Sequence, residues 1–198
     1  MATEARHAVE HPPTATGIDN RKLGMWGFLA SECLFFGALI STYLLYRDRI
    51  AGGVDPQEVY DIPFTSVSSF VLLMSSLTMV LALSAIQRGN GRGMRIWLVA
   101  TALLGMTFIG GQVYEFTTFY REGFTLTSSP AGSAFFVLTG FHGAHVTGGI
   151  LMLLALVLMS LAGKIPPEQS LKVEMVGLYW HFVDIVWIII FTLIYLLP

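Results

Sequence analysis

Five ionisable side chains lie inside long apolar stretches of this sequence, and their types are those used in metal and proton chemistry. His142 and His145 occur in GFHGAHVTGG, and His181 and Asp184 occur in LYWHFVDIVWIII. The members of each pair are three residues apart and therefore share one face of a helix. Glu32 stands in LASECLFFGAL, between leucine and phenylalanine residues. Imidazole and carboxylate groups can bind zinc or iron, and they can also carry protons.

The residues alone leave three interpretations open. Three histidines and a carboxylate suit a zinc or iron site, although these pairs on separate helices are a weak signature. Apolar neighbours disfavour the ionised form of a carboxyl group, so Glu32 can instead accept and release a proton. The third interpretation is hydrogen bonding between helices.

Two other classes of protein could use such residues. A stand-alone metal or proton transporter would predict inverted repeats, which the sequence does not show. A membrane metalloenzyme would lose activity on substitution of His142 or His181.

The elements that must position these groups are membrane-spanning helices. The chain has 198 residues, of which 54% are hydrophobic and 12% are charged, whereas soluble domains have about 25% charged residues. A span needs roughly 20 mainly apolar residues. We predict an all-α integral membrane protein, a bundle of five transmembrane helices over residues 22–198, preceded by a disordered cytoplasmic tail at residues 1–21. The spans are placed at 23–46, 66–87, 94–118, 131–162 and 172–197.

Charge sets the expected orientation and excludes other classes of protein. Eight of the eleven Lys and Arg residues fall in the tail and in the second and fourth connections. Basic residues in short loops favour the cytoplasmic side, so the N-terminus is expected to be cytoplasmic and the C-terminus periplasmic. The formal net charge of −2 argues against a nucleic-acid partner. Cys33 is the single cysteine, so an intrachain disulfide is impossible.

The depth of the ionisable groups indicates that they face protein rather than lipid. At about 1.5 Å per residue, Glu32, the two histidines of GFHGAH and Asp184 lie about 14–21 Å from the end at which their helix enters the membrane. Exposure to lipid would cost a few kcal/mol for each charge. Glu115, near the outer boundary, is expected to be structural. Arg47 marks the end of the first span or contacts a lipid phosphate.

The fourth span also predicts a close helix–helix contact. Gly140, Ala144 and Gly148 recur every four residues, and such small residues let another helix approach closely. The two histidines project from a different face, roughly 130° away at 100° per residue. We therefore expect this helix to meet one neighbour through its backbone and another through imidazole.

Three segments of the sequence resemble subunit III of the haem–copper respiratory oxidases, best known in cytochrome c oxidase. They are RKLGMWGFLASECLFFGALI, the segment from YEF to GFTLTSSPAGSAFFVLTGFHGAHVTGG, and LYWHFVDIVWIIIFTLIYL. The resemblance extends from about Lys22 to Leu197, with the segments in the same order and spacing. GFHGAHV together with YWHFVD is highly specific, because unrelated membrane segments would not share both.

The resemblance implies an accessory role. Subunit III of this family carries no haem or copper; those cofactors belong to partner subunits. It packs against subunit I in a complex that also contains subunit II, binds phospholipid, and supports proton uptake and stability during turnover. The carbodiimide-reactive glutamate of the family falls at Glu32. His142, His145, His181, Asp184 and Glu115 then form a buried polar cluster that fixes helix packing, with no catalytic residue and no metal ligand in this chain.

Two departures from the family qualify this expectation. Long members have seven spans, and this chain lacks the first two, which form one wall of the lipid cleft. That wall must then come from another chain or be absent. Quinol-oxidising relatives also have a five-helix subunit III with similar motifs, so quinol is the alternative electron donor. GFHG and the glutamate of ASE are more similar to the cytochrome c oxidases, and the expected donor is therefore cytochrome c. The five-helix form points to a multi-pass protein of a bacterial plasma membrane.

Overall fold

A computed structural model describes residues 19–50, 60–166 and 169–197. These residues form five helices long and apolar enough to cross a membrane, and no strand occurs among them. The predicted all-α, five-span architecture is confirmed. The tail predicted for residues 1–21 lies outside the described residues up to residue 18. The helices are α1 (Asn20–Tyr46), α2 (Ile62–Gln87), α3 (Gly91–Arg121), α4 (Pro130–Leu161) and α5 (Ser170–Phe191), the last continued by a π-helical turn (Thr192–Leu196).

Polar capping residues explain why the helices begin before their apolar runs. Asp61, Asn90 and Ser129 precede α2, α3 and α4, and each side chain accepts a hydrogen bond from the backbone N–H three residues later. Such caps satisfy one of the free N–H groups of the first turn. Hydropathy places the start of α2 four residues too late and that of α3 three residues too late, because it does not register these caps.

The five helices alternate in direction, so α1 and α5 begin on the same side of the membrane, here called the N-terminal side. α5 is the central helix. In its most apolar stretch of 18 residues, 56% are buried inside the protein, compared with 11% in the corresponding stretch of α1. α1 lies at the edge and contacts α4 and α5. Most of the surface of α1 is therefore available to lipid or to another subunit.

Trp180 on α5 joins three neighbouring helices. Its indole Nε1 donates to the Ser75 hydroxyl of α2 at 2.8 Å, and the side chain is 1% exposed. A Cβ atom at Gly105 of α3 would lie 2.6 Å from the indole ring, and one at Gly149 of α4 would lie 2.8 Å from it. The ring thus occupies space that the two glycines leave open.

The close helix contact predicted for Gly140, Ala144 and Gly148 does not form along all three residues within this chain; of the two glycines, only Gly148 has a neighbour, the Tyr179 hydroxyl, 3.7 Å from where a Cβ atom would lie. A Cβ atom at Gly140 would have no neighbour within 4 Å, and Ala144 is exposed. The close approaches of α4 occur at Gly149 and at Gly143, where a Cβ atom would lie 2.6 Å from Gln112. Spacing alone cannot identify which of two glycine-containing faces meets the neighbouring helices.

Candidate functional site: polar contacts inside the helix bundle

Glu32 and His145 form a contact between α1 and α4. His145 Nε2 lies 3.1 Å from Glu32 Oε2, and the side chains are 19% and 17% exposed, respectively. The other ring nitrogen, Nδ1, lies 2.7 Å from the Phe141 carbonyl oxygen. Because a carbonyl can only accept, Nδ1 carries a hydrogen. Nε2 then either accepts from a protonated Glu32 or, in the imidazolium, donates to a carboxylate.

Both arrangements place one proton between Glu32 and His145 and leave the pair without net charge. Without that proton, two lone pairs would face each other at hydrogen-bond distance. The Phe36 ring lies against His145, with centroids 4.9 Å apart, and the Tyr179 hydroxyl donates to the His145 carbonyl at 3.0 Å. The apolar ring and the fixed backbone hold the imidazole in place. The contact therefore joins α1 to α4 through one hydrogen bond between an imidazole and a carboxyl group.

His142 lies in an aromatic cage, one helical turn from His145. Its ring centroid is 4.8 Å from Trp187, 5.9 Å from Phe108 and 6.5 Å from Phe36, and the side chain is 0% exposed. Neither ring nitrogen has a hydrogen-bond partner among the described residues. Burying an unpaired polar group costs about 1–3 kcal/mol. The contacts of His142 are thus aromatic, while those of His145 are polar.

His181 and Asp184 are linked through a residue that the sequence did not single out. The Ser76 hydroxyl of α2 donates to Asp184 Oδ2, and it lies 3.0 Å from His181 Nδ1. Asp184 is 3% exposed. We expected Asp184 to act on His181 as its neighbour on one helix face. The structure places a serine from another helix between them.

Glu115 belongs to a separate polar contact, near the membrane side opposite the N-terminal side. Its Oε1 accepts from the Thr65 hydroxyl at 2.7 Å and from the Tyr195 hydroxyl at 3.1 Å, and the residue is 6% exposed. These bonds join α2, α3 and the π-helical turn. The five residues predicted as one cluster are therefore divided among four contacts, and only His181 and Asp184 share one, through Ser76.

A cleft of about 610 Å³ lies between the end of α1 and the start of α4, and its lining includes Tyr46, the residue before Arg47. The cleft is lined by apolar side chains such as Leu39 and Val137, with hydroxyls that include Thr42 and Ser133. Arg47 Nε lies 3.7 Å from Asp48 Oδ1, and its side chain is 33% exposed. A largely apolar cleft of this size is suited to an acyl chain, and Arg47 follows directly after a residue that lines it.

The candidate metal ligands do not converge. Within residues 19–50, 60–166 and 169–197, no group of three or more His, Cys, Asp or Glu side chains is arranged to hold a metal ion. His145 bonds to Glu32 of α1 and His181 to Ser76 of α2, while His142 lies among aromatic rings. The described geometry provides hydrogen-bonded contacts between helices.

Five apolar helices with polar contacts between them define a polytopic membrane protein. Comparison with known proteins identifies its family. The family model for cytochrome c oxidase subunit III matches residues 1–197. The quinol oxidase subunit 3 of Bacillus subtilis is 40% identical over 175 residues, 88% of this chain and 86% of the relative. The cytochrome c oxidase subunit 3 of Bacillus sp. strain PS3 is 38% identical over 178 residues, 90% and 86% of the two chains. Subunit 3 of the Pseudomonas aeruginosa cytochrome bo(3) ubiquinol oxidase is 35% identical over 196 residues, 99% and 93% of the two chains.

The chain belongs to the cytochrome c oxidase subunit III family, as its sequence motifs predicted. It is an accessory subunit of a respiratory oxidase complex and a multi-pass protein of the bacterial plasma membrane. Membership extends over nearly the whole chain, so the Glu32–His145 contact and the Ser76-centred contact lie within the matched region.

Proposed function

We propose that this chain is the cofactor-free subunit III of a proton-pumping cytochrome c oxidase, with haem and copper held by partner subunits I and II. It packs on subunit I and sustains proton uptake and turnover there. The observation that carries the proposal is the 3.1 Å contact between the Glu32 carboxyl group and the His145 imidazole in a chain that matches the subunit III family model. Two groups of these types can exchange a proton. We propose that the N-terminal side of the bundle faces the cytoplasm, as the distribution of Lys and Arg residues predicts.

Quinol is the alternative electron donor, and a specific observation favours considering it. The Bacillus subtilis relative at 40% identity is named a quinol oxidase subunit, whereas the strain PS3 relative at 38% identity is named a cytochrome c oxidase subunit. The donor is set by the partner subunits. Oxygen consumption by the purified complex with reduced cytochrome c or with quinol distinguishes them, as does a copper-binding motif in the partner subunit II.

Glu32→Gln should leave assembly intact and lower the number of turnovers before inactivation severalfold. Glutamine keeps the shape and a hydrogen bond to His145 but loses the exchangeable proton. Oxygen consumption followed to inactivation, together with proton release from vesicles, measures the effect. Glu122→Gln, at an exposed carboxyl after α3, is the matched control. Equal lifetimes and equal proton uptake in the two variants would leave Glu32 with a packing role.

We further propose that the cleft beside Arg47 holds a phospholipid whose phosphate the guanidinium group contacts. Arg47→Gln should weaken binding of an anionic lipid by about 1 kcal/mol, or roughly fivefold, because a basic residue near the membrane surface contributes about that much. Phospholipid retained by the complex after extensive detergent washing measures this loss. Arg121→Gln, at the end of α3 on the same side, should retain the wild-type amount. Equal lipid content in both variants would rule out the contact.

A further inference from the structure

A groove of about 200 Å³ opens between α2 and α5 toward the N-terminal side. Its two ionisable lining residues are Glu174 and His181, and it also touches Met79 and Gly177. Glu174 lies at the membrane boundary, 31% exposed, with its carboxylate 2.6 Å from Lys22 Nζ. His181 lies seven residues further along α5, about 10 Å deeper at 1.5 Å per residue. The groove thus connects a surface carboxylate with a histidine inside the membrane.

The hydrogen bonds beyond His181 form a chain of three groups that runs through Ser76 to Asp184. When Asp184 is ionised, the Ser76 hydroxyl gives its single hydrogen to Asp184 Oδ2 and so accepts from His181 Nδ1. His181 Nε2 is then the unprotonated nitrogen of a residue that lines the groove. When Asp184 is protonated, both hydrogen bonds reverse. The chain of three groups can therefore be polarised either way, as a proton relay requires.

The Asp184 carboxyl group is buried, and one of its oxygens is unpaired among the described residues. The residue is 3% exposed, and the oxygen without a hydrogen-bond partner there is Oδ1. Keeping a buried carboxylate ionised with an unpaired oxygen is costly, whereas the neutral form is far less so. A proton bound to Asp184 must reach it through the protein, because the surrounding helices exclude bulk water.

The other helices packed against this part of α5 offer few competing groups. α3 presents Phe108 and Gly105, which contact Trp187 and Trp180. α4 presents His142, whose ring lies against Trp187 one turn beyond Asp184. α1 contributes Lys22, which pairs with Glu174 at the mouth of the groove. The bonded route to Asp184 among the described residues runs through Ser76 of α2.

We propose that the α2–α5 groove is the entrance of a proton path from the N-terminal side to Asp184. A proton from water in the groove, or from Glu174, binds His181 Nε2. The Nδ1 proton passes to Ser76 Oγ as the hydroxyl proton passes to Asp184 Oδ2, so that one proton enters and one arrives. In the reverse sequence the Asp184 proton returns to Ser76 Oγ, the hydroxyl proton passes to His181 Nδ1 and the Nε2 proton leaves to the groove, so the path exchanges the Asp184 proton with water. The groove exceeds the volume of one water molecule, about 30 Å³, and Glu174 and His181 are the lining groups that can bind water in it.

Infrared difference spectroscopy of the intact oxidase tests this path. The protonated Asp184 carboxyl should give a carbonyl stretching band that is absent in Asp184→Asn and that shifts when H₂O is exchanged for D₂O. Ser76→Ala removes the relay, and Gly177→Leu fills the groove, since a Cβ atom there already lies 3.1 Å from Met79. In both variants the D₂O shift should slow by about tenfold or more, because exchange must then wait for local opening of the helices.

The controls separate the relay from general disturbance of the fold. Ser76→Thr retains the hydroxyl and should retain rapid exchange. Ser66→Ala, which removes an α2 hydroxyl bonded to the Ile62 carbonyl of the same helix, should also exchange at the wild-type rate. A wild-type enzyme without an Asp184 band would overturn the proposal, as would equal exchange rates in all variants. Slow exchange in Ser76→Ala with rapid exchange in Gly177→Leu would keep the relay and overturn the groove as its entrance.

Discussion

Trp180→Ala should prevent recovery of an assembled complex, whereas Trp26→Ala should give normal amounts. Removing a fully buried tryptophan costs about 3–5 kcal/mol through lost contacts and the resulting cavity. Trp180 also bonds Ser75 of α2 and fills the space beside Gly105 and Gly149, so its loss loosens three helix contacts together. Trp26 is 59% exposed on α1 and provides a matched control for loss of an indole.

The yield and thermal midpoint of the detergent-solubilised complex measure this effect. Gly149→Ala offers a second variant that leaves the indole in place. Its added methyl group would lie 2.8 Å from the ring, and such overpacking costs typically about 1–3 kcal/mol. Gly110→Ala, where a Cβ atom would have no neighbour within 4 Å, should be tolerated. Equal stability of the Trp180→Ala and Trp26→Ala complexes would contradict the central position assigned to α5.

His145→Phe should destabilise the complex, whereas His142→Phe should have a smaller effect. Phenylalanine preserves the aromatic contact with Phe36 but leaves the Glu32 carboxyl without its partner, at a cost of about 1–3 kcal/mol. His142 has aromatic neighbours and unpaired ring nitrogens, so an apolar ring removes a buried polar group instead of stranding one.

A double variant separates the pairing from packing. Replacing both partners of a buried hydrogen bond by apolar groups can be nearly neutral, so His145→Phe with Glu32→Leu should recover part of the stability lost in His145→Phe alone. Thermal midpoints of the four proteins in the cycle give the coupling between the two residues. Losses that simply add in the double variant would show that Glu32 and His145 do not stabilise one another.

The spans could be predicted from the sequence because a membrane imposes length and apolar composition on each helix. Their starts could not, since the caps at Asp61 and Asn90 are polar residues outside the apolar runs. The sequence also could not predict which polar groups contact one another. Glu32 and His145 are 113 residues apart, and helical spacing fixes the face of each but not the rotation of α1 against α4.

Ser76, which the sequence did not single out, nevertheless belongs to a recognisable pattern on α2. Thr65, Ser69 and Ser76 are separated by four and seven residues, so they lie along one face of α2. Their hydroxyls bond Glu115, Trp187 and Asp184, respectively. A line of hydroxyls on an otherwise apolar helix indicates polar partners across the interface. His142 had no comparable signal, because a histidine in an aromatic cage and one in a polar contact have the same local spacing.

As an accessory oxidase subunit, this chain is proposed to hold no redox centre itself. The most direct test is a reduced-minus-oxidised optical spectrum of the complex that co-purifies with the tagged chain in mild detergent. We predict haem bands in the complex that disappear when the chain is isolated from its partners. A haem-free preparation that retains stoichiometric zinc or iron on this chain would contradict the account and return His142 and His145 to the role of metal ligands.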